Sequence, residues 1–114
     1  MSHDQSWAEA LPCAITVCDA NGTIVSMNSA SVQTFRNEGG EALIGSNVLD
    51  CHPEPSRTQL KDMLRDGTEN LYTIEKSGRK KLICQYPWFK DGQYAGHVEI
   101  SIVLPENLPH FKRD

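Results

Sequence analysis

The sequence has no long apolar segment and no leader-like start. None of its apolar runs approaches the roughly 20 residues that a membrane-spanning helix needs. Met1 to Gln5 also lack the basic and apolar regions of a secretory signal. We therefore expect a cytoplasmic protein with no membrane partner.

Positive charge is also in short supply. Lys and Arg number 11 against 15 Asp and Glu, which gives a net charge of -4. That balance disfavours nucleic acid as a partner, because clustered cations are what bind its phosphate backbone. The basic run Arg79 to Lys81 is typical of a solvated turn. With 39% hydrophobic and 23% charged residues, the 114-residue chain has the composition and size of one soluble globular domain.

Catalytic and metal-binding signatures are missing as well. The four cysteines form no Cys-x-x-Cys pair and no zinc-ligand spacing. Cys13, Cys18 and Cys84 lie in strand-like runs, which indicates reduced thiols packed as small apolar residues. Because no phosphate loop, general base or triad spacing is found either, we predict that the chain is not an enzyme.

What the sequence does contain is a set of alternating segments bounded by tight turns. Asn21-Gly22, Ser77-Gly78 and Asp91-Gly92 are hairpin or turn signals, since these residues tolerate positive φ. The predicted strands span 13–19, 23–28, 70–76, 79–90 and 93–104.

Short helices occupy the remaining segments. Ser6 with Glu9, and Ser56 with Gln59, have the spacing of capping boxes at helix starts. The predicted helices are 6–11, one from Ser29 or Ser31 to Arg36, 41–44, and a longer one from Ser56 to before Gly67. The predicted organisation is an N-terminal capping helix over 1–12, one domain over 13–104 and a tail over 105–114.

Two strands, a helical block and three more strands make an α+β arrangement. Along the last strand, Val98, Ile100 and Ile102 alternate with His97 and Glu99. We therefore expect one apolar and one polar sheet face. The helical block is predicted to cover the apolar face, and His97 is predicted to lie on the outer surface.

Several motifs follow one another in a recognisable order. Residues 19–30 have the pattern of a strand end, a glycine turn, a second strand and an Asn-x-Ala helix start. Further along the chain come Ile44-Gly45, Asp91-Gly92 and Gly96. In this order they resemble a PAS domain over about residues 8–104. The resemblance implies the PAS fold, a five-stranded antiparallel sheet in the order 2-1-5-4-3 with short helices packed on one face.

The resemblance to PAS domains also implies a sensing role, with a small ligand between the helices and the sheet. We expect a sensory or regulatory module for signal transduction that binds a small molecule or a signalling protein. It would act in trans or as a fragment of a larger sensor. A homodimer through Trp7, Leu11 and the outer sheet face is expected, and a dimerisation module without a ligand is the alternative.

Asp50-Cys51-His52-Pro53 is similar to a PAS subgroup with this motif before the long helix. Three interpretations are open: haem or iron bound by His52, with or without Cys51; a redox or covalent site at Cys51; and local structure only. Flavin is disfavoured, because Val48 stands where light-sensing PAS domains carry their reactive cysteine.

The candidate ligand-binding residues are aromatic, polar or sulfur-containing: Met27, Asn28, Phe35, Cys51, His52, Tyr72, Tyr86 and Trp88. Ordinary core packing is the alternative for the aromatic residues and Met27. Asn28 is equally suited to a turn or a helix cap.

Overall fold

The computed structural model describes residues 6–114, apart from the side chain of Cys51. Its centre is one antiparallel sheet in the order β2-β1-β5-β4-β3. The strands are β1 (Ala14–Asp19), β2 (Ile24–Met27), β3 (Asn70–Lys76), β4 (Arg79–Lys90) and β5 (Gln93–Val103). The α+β class and the strand order are as predicted, and each strand end lies within one residue of its predicted position.

Short helical elements connect the strands. The α-helices are α1 (Ser6–Ala10), α2 (Ser29–Thr34) and α3 (Ser56–Asp66). Single 3-10 turns follow α2 and precede α3, at Arg36–Glu38, Gly40–Leu43 and Val48–Cys51. No helix in residues 6–114 is long and apolar enough to cross a membrane.

The start of α3 uses a different device from the predicted capping box. Ser56 is already helical, and the Glu54 carboxylate accepts hydrogen bonds from the Thr58 hydroxyl (2.7 Å) and backbone N–H (2.8 Å). These bonds lower the pKa of Glu54, the hydroxyl contributing most. The Ser56–Gln59 capping box was therefore a wrong prediction. The end of α3 is as predicted, with Gly67 in the left-handed region at φ 63°.

The polar face of the sheet, which also carries the buried apolar residues Ala14, Cys18, Ile24, Met27 and Ile83, lies under the helices. Glu99 pairs with Gln85 on β4 and with Thr16 on β1, so these three side chains share one face. The Thr16 hydroxyl lies 2.6 Å from that of Ser31 in α2, which places this face beneath the helices. We call the opposite face the outer face; by alternation it carries Ile15, Val17, Leu71, Leu82, Cys84, Tyr86, Val98, Ile100 and Ile102.

The prediction that the helical block covers the face of Val98, Ile100 and Ile102 is therefore wrong, although the covered face does hold most of the buried apolar residues of the sheet. Alternation along a strand separates two faces, but it does not say which face the helices will cover. Here Ser31 of α2 pairs with Thr16, and the Thr68 carbonyl after α3 pairs with His97, which offsets the cost of burying these two side chains.

The prediction for His97 was wrong for the same reason. Its side chain is buried, with 5% of its surface exposed, on the helix side of β5. Nε2 lies 2.7 Å from the carbonyl of Thr68, and Nδ1 lies 2.6 Å from the Tyr94 hydroxyl. Because a carbonyl can only accept, Nε2 carries the proton and Nδ1 accepts from Tyr94.

The packed part of the interior lies where α2 meets β1 and β2. Ser31 has no exposed surface, and Asn28 retains 5%. The Asn28 side chain caps α2, since Oδ1 accepts hydrogen bonds from the N–H groups of Ser31 (3.0 Å) and Ile15 (2.9 Å). Its Nδ2 donates to the carbonyls of Ala8 (2.8 Å) and Cys13 (2.9 Å).

Candidate functional site

A cleft of about 550 Å³ opens between α3 and the β3–β4 side of the sheet. α3 contributes apolar side chains, Leu60 and Met63, together with polar ones that include Gln59. The sheet contributes Asn70, Tyr72 and Gln85. The cleft therefore has one mixed wall and one polar wall.

A smaller space of about 70 Å³, the inner cavity, continues beneath α3 toward β1. It is lined by Thr16 and Cys18 of β1, by His97 and Glu99 of β5, and by Val48 before α3. The cleft and the inner cavity share four lining residues: His52, Leu60, Met63 and Gln85. We therefore treat them as one site.

A row of hydrogen-bonded side chains forms the floor of this site. Asn70 Nδ2 donates to Gln85 Oε1 at 3.3 Å, and Gln85 Nε2 donates to Glu99 Oε1 at 2.8 Å. The residues occupy neighbouring strands in register, so the row runs straight across β3, β4 and β5. Gln85 is buried, with 8% of its surface exposed, and its two bonds compensate that burial.

His52 lies at the junction of the cleft and the inner cavity. Its Nδ1 is 2.7 Å from the carbonyl oxygen of Val48, so Nδ1 carries the proton. Nε2 of the neutral ring then holds a lone pair, and in the described part of the chain it has no hydrogen-bond partner. This side chain can accept a hydrogen bond or ligate a metal through Nε2.

The site has a negative electrostatic character. Burial, followed by the charge of Glu99, raises the pKa of Tyr72, while a hydrogen bond to Gln85 offsets part of that rise. Burial also raises the pKa of the Cys18 thiol, and the carboxylates of Asp19 and Glu99 add to the effect. Cys18 is therefore a neutral thiol at neutral pH and a poor nucleophile.

Of the predicted ligand-binding residues, the structure brings two together in this site, His52 and Tyr72. Met27 lines a separate shallow depression of about 250 Å³ beside α2. Asn28 caps α2, as its alternative interpretation stated. Cys51 ends a 3-10 turn next to His52, but its side chain lies outside the described part of the structure.

The other three predicted residues do not line the cleft or the inner cavity. Phe35 ends α2, and Tyr86 lies on the outer face with 38% of its surface exposed. Trp88 is half-buried, and its indole Nε1 donates to the carbonyl of Cys18 at 3.1 Å. Aromatic character alone was a poor guide to the site, because large rings are equally suited to the outer face.

Sequence reasoning missed Gln85, Glu99 and Asn70. The signal was present in the alternation of β5, where Glu99 falls between Val98 and Ile100. Polar strand positions usually lie on a solvated face, so the face that carries Glu99 was expected to be solvated.

The site offers no ready-made metal centre. Within the described residues, no group of three or more His, Cys, Asp or Glu side chains is arranged to hold a metal ion. Val48, where light-sensing PAS domains carry their flavin-reactive cysteine, lines the inner cavity and has no nucleophilic atom.

Comparison with known proteins gives one family. A family model described as the PAS fold matches residues 8–106 of the chain. No curated protein sequence matches it significantly.

Solved PAS structures share the architecture. The PAS domain of BvgS from Bordetella pertussis has a TM-score of 0.69 and 17% identity, over 90% of this chain and 84% of that one. The Aer2 receptor from Vibrio cholerae, described as a dual PAS-heme oxygen sensor, has a TM-score of 0.64 and 12% identity, over 82% of this chain and 95% of that one. The PAS domain of the histidine kinase ThkA has a TM-score of 0.63 and 16% identity, over 79% of this chain and 97% of that one. At these identities the likeness establishes the fold and not the ligand.

Proposed function

The chain belongs to the PAS fold family, and on that premise we propose that it is a sensory domain that binds a small polar molecule between α3 and the sheet. Ligand binding would change how α3 sits on the sheet, and a protein partner would detect that change. A ligand shifts such an equilibrium only by its difference in affinity for the two arrangements.

The observation that carries this proposal is the cleft with its polar floor. Its volume of about 550 Å³ is in the range of small-molecule sites. The floor presents ordered hydrogen-bonding groups on rigid strands, Gln85 and Glu99, which is how a site fixes the orientation of a ligand. A purely structural module, the alternative, does not need a cleft of this size lined by hydrogen-bonding groups.

The sensory part of the proposal draws on the fold relatives. Aer2 is described as an oxygen sensor, and the ThkA structure is a PAS domain of a histidine kinase. Both descriptions concern those proteins. They support a signalling role for a domain of the same architecture.

The experiment is a screen of amines, carboxylic acids and neutral polar compounds, read by amide NMR shifts. Leu60→Trp should block the site, because Leu60 lines both the cleft and the inner cavity. Leu71→Trp is the matched control, since Leu71 is 56% exposed on the outer face. We expect compounds that shift cleft amides in the wild type and Leu71→Trp and lose that effect in Leu60→Trp.

The opposite results are equally informative. If no class of compound shifts the cleft amides of the wild type, the ligand-sensing proposal fails. It also fails if compounds bind Leu60→Trp as well as they bind the wild type, because they would then occupy another surface.

Haem bound by His52 is the second candidate, and the free Nε2 of His52 favours it. The walls of the cleft fit haem less well. They carry Asp62, Asp66 and Glu69, and carboxylates oppose the two propionates of haem. The test is a haemin titration, in which a shifted Soret band should be lost in His52→Ala and kept in His110→Ala. A band retained in His52→Ala would contradict a His52 ligand.

We propose further that a second copy of the chain pairs with the outer face, together with Trp7 and Leu11. Trp7 is 66% exposed and Leu11 37%. Sedimentation tests this, with Ile102→Lys expected to shift a dimer toward monomer. The adjacent Val103→Lys, on the other face, should not. A wild-type monomer at high micromolar concentration would count against the dimer.

A further inference from the structure

The polar row on the floor of the site ends in an acceptor with spare capacity. Asn70 donates to Gln85, and Gln85 donates to Glu99, so both amide groups point their donors toward the carboxylate. A carboxylate can accept about four hydrogen bonds. Within residues 6–114, Glu99 Oε1 accepts the bond from Gln85, and Oε2 accepts none.

His52 adds a second acceptor to the lining of the same cavity. Its Nδ1–H is committed to the Val48 carbonyl, which leaves the lone pair of Nε2 free. Both His52 and Glu99 line the inner cavity. The inner end of the site therefore has two vacant acceptors from two different elements, the loop before α3 and strand β5.

Within residues 6–114, no Lys or Arg side chain lines the site beside these acceptors. The lining of the cleft and the inner cavity contains four carboxylate residues and, in the part of the chain that the structure describes, no Lys or Arg: Asp62, Asp66, Glu69 and Glu99. Arg65 pairs with Asp62 at 3.2 Å and with Asp66 at 2.9 Å, on the exposed side of α3. That leaves Glu69 and Glu99 uncompensated.

We propose that the site selects small organic cations, and that Glu99 and His52 bind a protonated amino group of the ligand. An ammonium group has three donors and no acceptor, which complements two vacant acceptors. Its bond to the carboxylate is charge-assisted and therefore about twice as strong as a neutral one. The inference rests on the proposed function, since it names the ligand class of the same site.

An anionic ligand would meet the opposite situation. It would bring further acceptors to the inner end, where Glu99 and His52 already present acceptors, and it would be repelled by Glu69 and Glu99. A neutral ligand would gain no charge-assisted bond. The site should therefore discriminate by charge more than by size.

The experiment compares 1,4-diaminobutane with succinate, which have the same number of carbons and opposite charge. Amide NMR shifts are followed in the wild type, in Glu99→Gln and in the control Glu75→Gln. Glu75 is exposed on β3 and lies on the outer face by alternation. We expect the diamine, but not succinate, to shift the amides around Gln85 and His97. Affinity should fall by roughly tenfold or more in Glu99→Gln and stay unchanged in Glu75→Gln.

Three results would overturn the inference. The first is binding of succinate at least as tight as that of the diamine, and the second is diamine binding that Glu99→Gln leaves unchanged. The third is the absence of cleft shifts with the diamine up to millimolar concentration. None of these decides the proposed function, which is tested separately by the wider compound screen and the Leu60→Trp variant.

Discussion

The polar face of the sheet behaves differently at its two ends. Over β1 and β2 it is closed, because α2 and the neighbouring backbone supply partners to Thr16 and Asn28. The Thr16 hydroxyl meets that of Ser31, and Asn28 makes four hydrogen bonds to four backbone groups. Over β3 to β5 it is open, and β3 is exposed along its whole length.

The open end has polar side chains of the same kind but no helix close enough to pair with them. Glu99 and His52 each keep an acceptor unused in the described structure. The contrast shows that polarity beneath helices does not by itself mark a binding site. What marks it is hydrogen-bonding capacity that the protein leaves vacant.

The largest effect is expected from breaking the closed end at Asn28. Asn28→Ala removes four hydrogen bonds and leaves one buried and three part-buried backbone groups without this partner. We expect the free energy of unfolding to fall by about 3 kcal/mol or more, because each unsatisfied buried group costs roughly 1–3 kcal/mol. Urea denaturation followed by circular dichroism measures this loss.

Asn107→Ala is the control for Asn28→Ala. Asn107 is exposed in the segment after β5, where a surface substitution should change stability by no more than about 0.5 kcal/mol. If Asn28→Ala cost as little as Asn107→Ala, the closed end would not depend on its polar network.

A smaller effect is expected at His97, which ties the open end together. It joins β5 to the carbonyl of Thr68, two residues after the end of α3, and it accepts from Tyr94. His97→Leu should cost about 1–2 kcal/mol, since Thr68 is exposed and water can replace part of the loss. Amide hydrogen exchange in α3 should rise.

Tyr94→Phe provides the comparison for His97→Leu. It removes the bond to Nδ1 of His97 and keeps the bond from Nε2 to Thr68. We expect a smaller loss of stability and little change in the exchange of α3. Equal exchange in the two variants would mean that the Thr68 bond does not hold α3 to the sheet.

The positions of the strands and helices could be predicted from the sequence because local patterns fix them, whereas the strand order followed from the resemblance to PAS domains. Asn21-Gly22 and Asp91-Gly92 determine turns through the few residues that adopt positive φ there, as Asp91 does at 52° and Gly92 at 78°. The orientation of the sheet could not be predicted in this way. His97 and Glu99 are buried only because Tyr94, Gln85 and Thr68 reach them from distant positions.

The candidate site was predictable in part. His52 was identified from its residue type and its place before the long helix, and Tyr72 from its aromatic side chain. Trp88 has the same aromatic character, yet its indole crosses β5 at Gly96 to reach the Cys18 carbonyl. A side chain at Gly96 would place its Cβ 1.9 Å from that carbonyl oxygen. Such a packing relation depends on strand register, which residue types alone do not give.

The smallest expected effect is a dependence of stability on pH, and it arises where the closed and open ends of the polar face meet. Cys18 lines the inner cavity, and burial, then the charges of Asp19 and Glu99, raise the pKa of its thiol above the ordinary 9.0. As pH rises past 9.0, the unfolded chain releases this proton first while the folded chain retains it. The contribution of Cys18 to stability is therefore constant below that pH and is lost above it, by less than about 1.4 kcal/mol per pH unit for one proton.

Cys18→Ala should make this alkaline loss of stability shallower, even though it lowers stability at neutral pH by opening a small void. The measurement is the free energy of unfolding from neutral pH to just above 9.0, before Tyr72 and Tyr94 begin to titrate from raised pKa values of their own. Ile24→Val is the control, because Ile24 pairs with Cys18 and trimming it removes no titratable group. If the free energy of unfolding of Cys18→Ala fell with pH as steeply as that of Ile24→Val, the Cys18 thiol would not be held neutral in the folded protein.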